Sequence, residues 1–130
     1  MIIKIENINI HLAKESDIPE VKELLERYHA KNLEGKQREN GFVTTDMTEQ
    51  QLSKLCETEQ GIVIATDKTN KKVVGLLLGA SWQFLKPWPM FDFMASILND
   101  FTFQGKKLDA EISYQYGPIC ITEELSLIHI

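Results

Sequence analysis

The sequence lacks the features that mark a membrane protein, an exported disulfide scaffold or a metal centre. No apolar run approaches the ~20 residues that span a bilayer, and the opening MIIKIENINI has no basic segment followed by a long apolar stretch. A cytoplasmic protein without a membrane partner is therefore expected. Only two cysteines occur, Cys56 and Cys120. They lie far apart in apolar surroundings, with no second Cys or His at metal-ligand spacing, so both read as buried free thiols and no metal site is expected. His11, His29 and His129 likewise have no carboxylate, cysteine or serine at a telling spacing, and no catalytic triad follows from them. Positive charge is scarce as well. Fourteen Lys and Arg against nineteen Asp and Glu leave a net charge of −5, with the acidic residues spread along the chain, so nucleic acid is a poor partner. Lys68, Lys71 and Lys72 surround Thr69-Asn70, where a hairpin tip is expected and lysines serve solubility. No repeat or low-complexity stretch is visible, and 130 residues fit one domain with a hydrophobic core.

What is there is a succession of short, well-punctuated elements. Ile3, Ile5, Ile8, Ile10 and Leu12 alternate with polar residues, predicting a first strand over 2–12 with one phase slip that marks a bulge. Ser16-Asp17-Ile18-Pro19-Glu20 combines capping side chains, an early proline and an acidic first turn, a helix start. Ile18, Val21, Leu24, Leu25 and Tyr28 then form one apolar face. Lys31 to Gly41 is polar and reads as a loop. Thr48 with Gln51 three residues on predicts a second, brief helix with Leu52, Leu55 and Cys56 as its apolar stripe. Two β-branched runs, 61–66 and 73–80, are joined by Asp67 to Lys72 as a hairpin. Aromatic residues crowd between Trp82 and Met94, with a helix expected after Pro87 and Pro89. A last strand is predicted over 110–121, with Gly117-Pro118 as a bulge or bend.

The order of these elements, with IHLAKESDIPEVKELL, GIVIATDKTNKKVVGLLLGASW and YQYGPICITEE, resembles the first half of the GNAT acetyltransferase superfamily. The resemblance covers residues 3–124 and implies a mixed α/β (α+β-like) fold: an incomplete acetyltransferase domain over 1–124, with a mainly antiparallel sheet of about four strands and flanking helices. It further implies that acetyl-CoA lies along the last strand, with Ile119, Cys120 and Ile121 offering backbone groups to its pantetheine arm. The family follows that strand with a Gln/Arg-x-x-Gly-x-Gly/Ala loop whose amides hold the pyrophosphate at a helix N-terminus. Here Glu124 is followed by Leu125-Ser126-Leu127-Ile128-His129-Ile130, with no glycine after Gly117 and no basic side chain. Those six residues are also the translation of CTG TCT CTT ATA CAC ATC, the end of a transposon-derived sequencing adapter, so 125–130 are expected to be a non-native tail. The implied activity is acetyl transfer to a small-molecule or peptide amine by direct attack, with little activity expected of the chain as written. A domain cut at its central strand is also expected to be marginal and aggregation-prone.

Such an enzyme needs a base near the last strand, and Glu111 is the nearest carboxylate; the alternative is a solvated glutamate at a strand end. Tyr114 and Tyr116 share one face of that strand and either line an acceptor pocket or pack. Trp82 opens the aromatic stretch. This stretch shapes an acceptor site, packs as a helix over the sheet or forms a homodimer contact. A reading from another class stays open beside the enzyme: a non-catalytic α/β module binding a ligand or partner.

Overall fold

The computed structural model describes residues 4–39 and 41–123. Three helices and six strands are present among them: β1 (Ile8–Leu12), α1 (Ile18–Arg27), α2 (Glu49–Glu59), β2 (Ile62–Asp67), β3 (Val73–Ser81), α3 (Pro89–Ser96), β4 (Thr102–Phe103), β5 (Lys106–Lys107) and β6 (Tyr114–Ile121). The fold is mixed α/β, with a four-stranded antiparallel sheet in the order β1-β2-β3-β6. The chain divides into two compact units, residues 79–116 and everything on either side of them.

In the larger unit, local chemistry sets both helices. A short 3-10 turn over Glu15–Asp17 leads into α1, with Pro19 in the first turn, where its missing N–H costs no helical bond. Ile18, Val21, Leu24 and Leu25 recur at helical spacing, and all four are buried. Thr48 and Gln51 close a reciprocal capping box on α2. The Gln51 amide donates to the Thr48 hydroxyl at 3.1 Å, and the Thr48 amide donates to the Gln51 side-chain oxygen at 2.9 Å. Leu52 and Leu55 are fully buried behind it. On the sheet, Ile62 and Ile64 pair with Leu78 and Leu76 across β2 and β3, and these four are buried too. Together with the helix faces they form the core.

The opposite face of this sheet is built from the alternate residues. Leu12 pairs with Val63 and Ile10 with Ala65, while Val63 pairs with Leu77. Ile10 and Leu12 are 71% and 48% exposed. The first strand is thus shorter than its apolar spacing predicts. Ile5–Asn7 form a 3-10 turn in which the Asn7 amide donates to the Lys4 carbonyl, so the phase slip marks the start of the strand instead of a bulge. A register shift does occur, at Ala65/Thr66 on β2.

Between the loop expected over 31–41 and the helix start at Thr48, a stretch given no element in the sequence reading, Val43, Thr45 and Met47 are buried in strict alternation. The Val43 amide and carbonyl bond the Tyr28 carbonyl and the Ala30 amide, both at 2.9 Å, which fixes one end of the segment against the end of α1. Charges fix the other end. The Lys22 ammonium donates to the Met47 carbonyl at 2.6 Å and lies 2.7 Å from Glu26 and 3.4 Å from Asp46; Lys31 approaches the same two carboxylates. Burial acts against the Lys22 charge, but the two carboxylates outweigh it and its pKa is raised. The hydrogen bond from Lys22, opposed by slight desolvation and aided by the charges of Lys22 and Lys31, holds Glu26 below the usual carboxylate range.

A carboxylate depressed in the folded state contributes stability above its unfolded pKa, and loses it as pH falls through the folded value. Glu26→Gln is therefore expected to lower the unfolding free energy by about 0.5 kcal/mol at pH 7, the modest size reflecting its partial exposure. The difference should shrink as pH falls through the lowered folded-state value and vanish once the carboxyl is protonated in both states. Urea titrations of both proteins at a series of pH values measure it, and a deficit that persists undiminished at low pH would overturn the assignment.

Candidate functional site at the outer edge of the sheet

Within the larger unit, β6 contributes Gly117 to Ile121, and the strand order among the described residues ends with it. The Thr122 amide donates to the Val74 carbonyl at 2.9 Å, so the backbone groups of Thr122 and Cys120 point toward β3. By alternation, the amides and carbonyls of Ile119 and Ile121 point away from β3, out of the sheet edge. Of the three residues expected to meet an added extended ligand, Ile119 and Ile121 thus present their backbone and Cys120 does not. Side chains follow the same parity. Cys120 and Thr122 are 3% and 5% exposed, whereas Ile119 and Ile121 are 48% and 38% exposed on the uncovered face.

Gly117 has φ +107°, a conformation that favours glycine strongly, and it stands where the burial pattern of β6 changes phase. Tyr114 and Tyr116 are exposed before it, Ile119 and Ile121 after it. The exposed set changes phase by one residue at Gly117-Pro118, where a bulge or bend is expected.

In the smaller unit, residues 79–116, Trp82 is buried and its Nε1 donates to the Ser113 hydroxyl at 2.9 Å. The Ser113 hydroxyl in turn donates to the Asp109 carbonyl at 2.7 Å. Glu111 lies on a turn, not on a strand, because the Asp109 carboxylate captures the amides of Glu111 and Ile112 at 2.8 and 3.1 Å. The strand expected from residue 110 therefore begins only at Tyr114, and the Glu111 side chain is exposed. Tyr114 and Tyr116 share a face as expected, each 69% exposed. α3 follows Pro87, starts at Pro89 and buries Phe91, while Phe84 and Trp88 stack with ring centroids 5.8 Å apart. Gln104-Gly105, both at positive φ, form a two-residue turn joining β4 and β5.

Both cysteines are free. Burial pushes the Cys120 thiol up to about 11, and burial followed by the charge of Glu15 raises Cys56, whose sulfur donates to the Ala13 carbonyl at 3.2 Å. Neither is suited to nucleophilic work. The His11 ring contacts the Leu12 carbonyl and the Thr66 hydroxyl, and the His29 ring accepts from the Lys31 amide. His129 lies outside the described residues, as does the 125–130 segment. Among the described residues no group of three or more His, Cys, Asp or Glu is placed to hold a metal ion, and no helix is long and apolar enough to cross a membrane.

Two features went unread in the sequence. A recess of about 320 Å³ lies between α1 and the β2–β3 turn, lined by Glu20, Glu23, Leu24, Arg27, Lys72 and Val73. One of its two carboxylates, Glu20, already accepts the Val73 amide at 3.0 Å. The second feature is Thr122, whose buried hydroxyl has no hydrogen-bond partner among the described residues. A threonine just beyond a strand end is unremarkable, so only the fold reveals either.

Comparison with known proteins gives no match: no family model, no curated protein and no solved structure is similar to the chain.

Two outcomes follow. An unsatisfied buried hydroxyl costs about 1–3 kcal/mol, so Thr122→Val is expected to raise unfolding free energy by about 1 kcal/mol in denaturant titrations. At pH 8 a disulfide reagent should modify Cys120 at least ~10-fold more slowly in the native protein than in urea, because thiolate is scarce and access is closed. Equal rates in the two states would contradict the buried placement of Cys120.

Proposed function

We propose that the chain is part of an N-acetyltransferase domain whose parent transfers an acetyl group from acetyl-CoA to a primary amine in the cytoplasm. The observation that carries this reading is the outer edge of β6. The strand closes an antiparallel β1-β2-β3-β6 order and leaves the backbone of Ile119 and Ile121 directed outward. A pantetheine arm, with amides spaced along an extended chain, is a ligand that can add to such an edge as a strand would. Direct attack of a neutral amine on the thioester forms the new amide bond and expels coenzyme A as thiolate. The thiolate takes a proton and the amine loses one, with no covalent enzyme intermediate. The cysteines fit this route by their inertness. Glu111, exposed on its turn, is the carboxylate that the resemblance nominates as the base.

A second reading is favoured by one observation. Met90, Phe93, Phe101, Phe103, Ile112, Tyr114 and Tyr116, all between residues 79 and 116, are each more than half exposed. Apolar side chains at that density mark a binding surface, as a non-catalytic module would carry.

Calorimetric titration of acetyl-CoA separates the two readings. The expected result is negligible heat with the 130-residue chain and saturable binding to the parent extended through the following codons. In that extended protein Ile121→Pro, which removes one outward amide, should weaken binding about tenfold, the equivalent of one hydrogen bond. If the extended protein does not bind, the acetyltransferase reading fails and the binding module replaces it.

A further inference from the structure

We draw no further inference here: the strongest candidate, the apolar face of the four-stranded sheet on which Ile10 and Leu12 of β1 and Ile119 and Ile121 of β6 stand exposed, carries nothing because no observation in the structure shows what covers it.

Discussion

The larger unit depends on one constraint, that its sheet buries a single face. Ile62, Ile64, Leu76 and Leu78 supply that face, and α1 and α2 bring Val21, Leu24, Leu25, Leu52 and Leu55 into the same core. Each such side chain contributes about 1.5–3 kcal/mol when fully withdrawn from water, so these nine residues dominate the favourable side of folding. Everything else is arranged around keeping them covered. The 41–48 segment contributes Val43, Thr45 and Met47 as further cover, and its ends are tied down by backbone bonds to Tyr28 and Ala30 and by the Lys22 ammonium. The Lys22–Glu26–Asp46–Lys31 cluster matters less for its Coulombic energy than for where it holds Met47, which is 2% exposed.

How much of this could be read in advance follows from the range of each interaction. The α2 start was legible because both bonds of its capping box lie within four residues, and the α1 face was legible because four residues repeat at one spacing. The β2–β3 hairpin declared itself through two β-branched runs around a polar turn. The buried alternation of 41–48 was not legible. Gly41 and the polar residues before it look like loop, and only the tertiary bonds to Tyr28, Ala30 and Lys22 give Val43, Thr45 and Met47 somewhere to go. The alternation of Tyr114 and Tyr116 was plain, but whether a strand face is covered is a property of the whole fold. Glu111 was misplaced onto a strand because Asp109, two residues earlier, competes for its amide, and an Asx interaction leaves no mark on apolar periodicity.

At β6 these two kinds of information meet. Gly117 is legible as a break, yet its consequence, the move of the exposed set from Tyr114 and Tyr116 to Ile119 and Ile121, depends on how the strand docks beside β3. The same docking decides which backbone groups are spent. Thr122 and Cys120 turn theirs inward, so the thiol of Cys120 is carried into the core and its pKa rises, while Ile119 and Ile121 keep theirs for whatever lies beyond the edge. Burial of the thiol and availability of the edge are therefore two results of one parity. A one-residue slip of β6 would reverse both at once, placing the Cys120 backbone at the edge, its sulfur on the exposed face, and isoleucine side chains on the buried face. Cysteine and threonine are smaller than isoleucine, so the slipped register would have to fit the bulkier Ile119 and Ile121 into space now shaped for Cys120 and Thr122. Overpacking of that kind typically costs 1–3 kcal/mol. Two small inward side chains thus hold the strand in the register that leaves its edge available.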